Sequence, residues 1–382
     1  MTAHCELPIP ADTPRRYRVL VVGGYGFFGR RLVDLLSRQA GLHVIVAGRS
    51  ASQAEALVAA LASAAQAGLE AVALDASADD LPARLDRLAV NVLVLASGPF
   101  QGQDYRVALA CAAAGVHYID LADGRAFVAG IADVDVAATA AGVCVISGAS
   151  SVPGLSSAAI DSMTAGWQRV DRIDIGISPG NRIERGTSTM HAVLTSCGQP
   201  IPLVGAAPVT GWLTSRLRRY PAPVGWRLLS PCDVPDLALL PDHYPGRPVV
   251  RFGAGLELVA MHLGMNLMAA LARVGLVRDW SAHTAWLKRK SDWLKHWGSD
   301  AGAMHVAVRG LDAQGRRAAR TWNLVATHGD GPYTPTLAAA ALVRKLAHGE
   351  PVAAGARACV SLLTLADFER EAAGLRIAWH AT

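Results

Sequence analysis

The chain has 382 residues, of which 52% are hydrophobic and 18% charged, with a formal net charge of +5. That is apolar material for two or three domains at roughly 150 residues each, and far too much for a disordered chain. The basic excess is spread along the sequence, and its densest runs, 218–220 and 288–290, are too short for a nucleic-acid arm and stand beside no RNA- or DNA-binding motif, so nucleic acid is not an expected partner.

Residues 1–16 contain no apolar h-region, so no signal peptide is expected, and they read as an N-terminal tail. Residues 18–22 are a β-branched apolar run of the length of a buried parallel strand. Gly24, Gly26 and Gly29 follow in G-x-G-x-x-G spacing, with Gly23 in front and Tyr25, Phe27 and Phe28 between them. In such a set the first glycine permits a tight turn, the second lets the backbone approach a pyrophosphate, and the third lets the helix pack close to the strand. The helix signalled by Leu32, Val33, Leu35 and Leu36 then offers its N-terminus to the phosphates, and a second strand at 42–47 closes a βαβ unit of about 30 residues. The alternative is a glycine-rich turn that merely packs a helix on a sheet.

The end of that second strand distinguishes two cofactors. NAD enzymes place Asp or Glu there for the ribose 2′-hydroxyl, whereas a 2′-phosphate needs positive charge. This chain has Gly48, Arg49 and Ser50 and no acid before Glu55. The Arg49 fork and the Ser50 hydroxyl suit phosphate, so NADP(H) is favoured and NAD(H) stays open.

An alanine-rich helix at 51–67 leads to a third strand at 69–74, ending at Asp75. Strands at 90–96, 116–119 and 143–146 alternate with helices at 105–114 and 126–141. Six strands with helical crossovers predict an α/β fold, a Rossmann-type doubly wound parallel sheet whose ligands lie beyond the carboxyl ends of the strands. That rule nominates Asp75, then Ser97, Gly98, Pro99 and Phe100, then Asp120, Asp123 and Arg125, then 147–154 with Ser151, Pro153 and Gly154. Asp75 would accept from the adenine amino group or cap the next helix.

Two of these loops, SGPFQGQDYRVALACAAAGVHYIDLADGR (97–125) and GASSVPGLSSAAID (148–161), resemble the saccharopine dehydrogenase-like reductases, a group related to carboxynorspermidine dehydrogenase and homospermidine synthase. The run GDGPYTPTLAAAALVRKLAHGEPVAAG (329–355) is similar to that group's C-terminal segment, while 165–328 matches loosely. The resemblance implies a dinucleotide-binding Rossmann domain (17–155), a second α+β domain for substrate and dimerisation (156–333) inserted before the C-terminal helix, and a segment (334–382) that returns to the first domain. It further implies NAD(P)(H), a homodimer and chemistry at a carbon–nitrogen bond.

In the second domain, 170–177 alternates as a half-buried strand and 187–196 reads as a helix. Ten prolines within 198–248 argue for a long ordered excursion without regular structure. Residues 256–277 read as a buried helix, with contact to a membrane or an apolar substrate as the alternative; Glu257, His262, Asn266 and Arg273 keep it from being a membrane span. Residues 304–308 and 320–326 form a hairpin around 312–315, and 338–347 a helix stopped at Gly349. Six cysteines, at 5, 111, 144, 197, 232 and 359, show no metal-ligand spacing; Cys111 and Cys144 read as buried thiols in a reducing, cytoplasmic compartment.

Hydride transfer needs orientation and often a proton donor from the protein. Asp120, Asp123 and Arg125 touch substrate or nicotinamide, or else form an ordinary salt bridge. His191 is a general acid or a satisfied core residue, with His243, Tyr244, His305 and His328 weaker candidates, and Arg182 and Arg185 bind an anionic tail or line a solvated loop. No clustered ligand set suggests a metal, and neither Tyr105 nor Tyr118 has the lysine four residues on that short-chain dehydrogenases use. The reading is an NADP(H)-dependent oxidoreductase transferring hydride to a C=N or related C=O group of a small-molecule amine or carbonyl substrate, forming or cleaving a secondary amine. Trp212, Trp226 and 256–276 suggest a larger, apolar substrate. The alternatives are an amine transferase that keeps its NAD(P), and a non-catalytic dinucleotide sensor.

Overall fold

The computed structural model describes residues 16–381, so residues 1–15, including Cys5, lie outside it. Strands β1 (Tyr17–Val22), β2 (Leu42–Gly48), β3 (Gly68–Ala73), β4 (Val92–Leu95), β5 (His117–Asp120) and β6 (Cys144–Ser147) form a wholly parallel sheet in the spatial order 3-2-1-4-5-6. Helices cover both faces, which is why β1, β2 and β4 read as continuous Val/Ile/Leu runs rather than alternating ones. The order reverses between β1 and β4, and ligands of such sheets bind at that switch point.

A seventh parallel strand, Gly355–Ala358, pairs with β6 after the chain has made its second domain. The sequence gives no sign of it, because Gly-Ala-Arg-Ala contains no β-branched or large apolar residue. The last strand, Ile377–Ala381, leaves this domain again and pairs with Arg317–Ala326, so the C-terminal segment serves both sheets and not the first alone.

The second sheet is mixed. Arg169–Ser178 lies at its centre, antiparallel to Gly302–Leu311 and parallel to Val249–Ala254. Gly302–Leu311 and Arg317–Ala326 form the expected hairpin. Helix Ser156–Thr164 packs on the apolar face of this sheet, and helix Thr334–Ala347, buried along most of its length, lies against the helix that follows β1. One apolar cluster runs from Val19 and Val21 through Ile160 to Ile173, Val306 and Leu324. The two sheets therefore share a core, which fixes the cleft between them.

Three expectations need correction. The helix over 126–141 is broken into Arg125–Ala129, a 3₁₀ turn at Gly130–Val134 and Asp135–Ala140. The cause is Tyr105, whose hydroxyl donates to the Phe127 carbonyl at 2.8 Å and occupies the space a side chain at Gly130 would need. The proline-rich stretch is regular after all: it contains the two-stranded sheet of Pro200–Leu203 and Ala206–Thr210, strands Arg216–Arg219 and Trp226–Pro231, and helix Asp236–His243. Pro202 and Pro208 sit in that small sheet, where every strand is an edge and a missing N–H is tolerated. Finally, 256–277 is not a buried helix; Val259–Arg273 is helical, and Val259, Leu263 and Leu267 are each more than half exposed.

Candidate functional site at the interdomain cleft

At the end of β1, Gly23, Gly24 and Gly29 sit where a side chain would collide with its neighbours. Gly23 adopts φ +75°, and a Cβ on it would lie 2.9 Å from the Ser97 Cβ. A Cβ on Gly29 would stand 2.0 Å from the Gly23 carbonyl oxygen. The Gly23 and Gly24 N–H groups both donate to the Ala47 carbonyl, at 2.8 and 3.1 Å, which pins the turn to β2. Helix α1 (Gly29–Ser37) starts with no side-chain cap and no acid in its first turn. The Arg30, Arg31 and Leu32 N–H groups already donate to the Gly26 and Phe28 carbonyls, so it is the helix dipole that suits an anion, and the glycine cradle ahead of it leaves room for a pyrophosphate.

At the adenosine end, the Tyr25 ring lies against Gly48, where a Cβ would meet it at 2.5 Å, and the Ser50 N–H donates to the Tyr25 hydroxyl at 3.0 Å. The Ser50 hydroxyl caps helix Ala51–Leu61 by accepting from the Gln53 N–H. Arg49 is exposed and makes no hydrogen bond or ion pair among the described residues. Asp75, also exposed, accepts from the Ser77 N–H at 2.9 Å; it closes a turn and does not cap the next helix, which begins at Leu81 behind Asp80. Phe27 packs edge-on against Phe28, with the Arg31 guanidinium 4.2 Å from its ring centroid.

Beyond β4, Ser97 approaches Gly23, Gly98 lies against Phe100, the Pro99 carbonyl accepts from Gln103, and Phe100 is buried against Phe127 with ring centroids 5.5 Å apart. Asp120 is fully buried: its Oδ1 accepts from the Ala122 and Gly148 N–H groups at 2.9 and 2.8 Å and from the Ser147 hydroxyl at 3.0 Å, while its Oδ2 has no partner. Burial raises its pKa to about 6. It braces the 147–149 turn from beneath. Ser151, Pro153 and Gly154 are buried as well, and Gly154 packs against Ala338 and Cys359.

Asp123 and Arg125 reach a cleft of about 150 Å³ between the domains, lined also by Gln101, Thr195, Ser196 and Asp233. Gln101 donates to Asp123 at 3.3 Å, and burial raises the Asp123 pKa. Arg125 donates to the Pro202 carbonyl at 2.9 Å and pairs with Asp233 at 3.1 Å. Residues 19–146 match the family model described as the saccharopine dehydrogenase NADP binding domain. That match is confined to the first, dinucleotide-binding domain. Saccharopine dehydrogenase (L-Glu forming) from Saccharomyces cerevisiae has the same fold, with a TM-score of 0.67 at 14% identity over 96% of this chain and 100% of that one. Two Mycobacterium tuberculosis proteins, from strains H37Rv and CDC 1551 and provisionally named trans-acting enoyl reductases, are each 35% identical over 112 residues. That match spans 28% of this chain and 26% of each relative, about a quarter of the relatives' length.

Several residues nominated in the sequence do not line the cleft. The His191 ring meets Thr284 at 3.5 Å, His243 meets Ser361 at 2.8 Å, and Tyr244 donates to Asp161 at 2.8 Å. His305 sits under Tyr220 and beside Asp174, while Arg185 donates to Asn181 at 2.6 Å. Gly186 lies against the Phe27 ring, and Glu184 pairs with Arg30 at 2.6 Å, so the 181–186 loop covers the glycine turn. The cleft residues missed in the sequence are Gln101, Thr195, Ser196 and Asp233, and behind them Asp236, fully buried, with its Oδ1 accepting from Ser156 at 2.5 Å. Gln101 alone left a signal, one residue past the Gly-Pro-Phe run; the others are brought in by the second domain.

Proposed function

We propose that the chain is an NADP(H)-dependent oxidoreductase that works in the interdomain cleft on a polarised C=N or related C=O bond. A nicotinamide bound there supplies hydride; everything else falls to the protein. Gly24, Gly26 and Gly29 would admit a pyrophosphate to the N-terminus of α1, and the Arg49 guanidinium would hold a 2′-phosphate. Asp123, half-buried and held toward its protonated form by burial, donates the proton. Arg125, its guanidinium already fixed by Asp233 and Pro202, orients the polar end of the substrate. Asp120 acts through the 147–149 turn rather than on substrate. The carrying observation is the uncapped, acid-free helix start behind a turn in which a side chain at Gly23, Gly24 or Gly29 would collide with its neighbours.

A second reading, reduction of a C=C bond, draws its support from the naming of the mycobacterial relatives as enoyl reductases. A cytoplasmic homodimer belongs to the same proposal, and sedimentation and cell fractionation test it. Loss of NADPH absorbance with amine-plus-carbonyl mixtures, carbonyls and enoyl thioesters separates the readings. Turnover with the first two groups, reduced roughly a hundredfold in Asp123→Asn, is the predicted result. Turnover with enoyl thioesters alone would transfer the assignment to the second reading, and inertness to all three would overturn both.

A further inference from the structure

We propose that helices Val259–Arg273 and Thr284–Trp293, with the loops around them, form a docking face for the surface of an anionic lipid bilayer. The first of these helices is turned inside out. From 258 to 272 it carries no Asp, Glu, Lys or Arg, and its two strongly polar residues, His262 and Asn266, point inward. The Leu256 N–H donates to His262 Nδ1 at 3.3 Å, which leaves Nε2 as the protonated nitrogen, 2.9 Å from the Ser230 hydroxyl. Asn266 donates to the same hydroxyl at 3.0 Å. With the polar residues satisfied inside, Val259, Leu263, Leu267 and Val274 form an outward stripe, 52–70% exposed, and Leu276 extends it at 73%. A surface helix facing water would show the opposite arrangement.

The neighbouring segment supplies the second half. Trp286, Trp293 and Trp297 are 50%, 71% and 66% exposed. Between 273 and 297 the chain carries Arg273, Arg278, Lys288, Arg289, Lys290 and Lys295, against two acids, Asp279 and Asp292. Both acids are engaged, Asp279 with Ser281 at 2.7 Å and Asp292 with Lys288 at 3.0 Å. The Lys290 ammonium lies 4.3 Å from the Trp293 ring centroid. Exposed tryptophan and leucine framed by cations is the pattern of a helix lying in a membrane interface, and the net positive charge selects anionic headgroups. Among the described residues no helix is long and apolar enough to cross a membrane, so the contact is peripheral. Helix Thr187–Thr195, which lines the cleft, packs directly on Thr284–Trp293, so docking brings the cleft to within one helix of the bilayer.

The test is sedimentation of the full chain with vesicles of phosphatidylcholine alone or mixed equally with phosphatidylglycerol. Binding to the mixed vesicles should be roughly tenfold tighter or more, accompanied by a blue shift of tryptophan emission. Trp293→Ser combined with Trp297→Ser should weaken it roughly tenfold with the melting temperature unchanged, since both rings are exposed. Arg289→Gln with Lys290→Gln and Lys295→Gln should erase the preference for the anionic mixture. No retention on mixed vesicles, or equal retention on both compositions, would overturn the proposal. So would a dimer that Leu263→Ser with Leu267→Ser dissociates in a chain that does not bind lipid, because the face would then belong to a second copy.

Discussion

Asp236 is held in an environment that opposes its charge. Its Oδ2 has no partner, and burial lifts its pKa from 3.8 to about 7. A carboxyl raised in this way contributes stability that is fully present below its unfolded pKa and is lost as pH rises through its folded value. Asp236→Asn keeps an acceptor for Ser156 and removes the titration, so its gain in stability over the natural chain should grow between about pH 4 and about pH 8, reaching the order of 4 kcal/mol. Calorimetric melting across that range checks it, and a gain independent of pH would contradict it. Gly29 is constrained in a different way: with a backbone oxygen 2.0 Å from where a Cβ would sit, Gly29→Ala should destabilise by several kcal/mol, visible as a fall in the urea midpoint, and an unchanged midpoint would show that the turn can relax. The glycine set was legible because its meaning lies in local spacing. Asp233 was not, because it reaches the cleft only through the second domain, and Asp236 was not, because its burial depends on the distant Ser156.

The parallel strands could be recognised as continuous apolar runs, and the hairpin by its alternation and turn. Elements failed where a contact distant in sequence overrides the local pattern. Tyr105 breaks the helix over 126–141 by taking the Phe127 carbonyl; Tyr105→Phe should cost about 1 kcal/mol, measured as a lower urea midpoint at unchanged slope, and an unaffected midpoint would place the break elsewhere. The seventh strand, Gly355–Ala358, is held by β6 and not by propensity. Helix Val259–Arg273 misleads because an apolar composition cannot tell a buried helix from one whose apolar side faces outward.

Across the whole molecule, the continuous core from Val19 to Leu324 and the Arg30–Glu184 and Arg125–Asp233 pairs join the two domains around the cleft. Both pairs are partly solvated, so the shared apolar core carries the coupling. The dinucleotide domain was readable because its glycine signature is concentrated in the first fifty residues, whereas the cleft is assembled from 101–125, 192–201 and 233 and has no compact signature. The most direct test of the cofactor assignment is titration calorimetry of NADPH and NADH into the folded chain and into Arg49→Ala. NADPH should bind roughly tenfold or more tighter than NADH, and Arg49→Ala should abolish that preference while leaving NADH affinity nearly unchanged. Failure of both dinucleotides to bind well-folded protein would contradict the account.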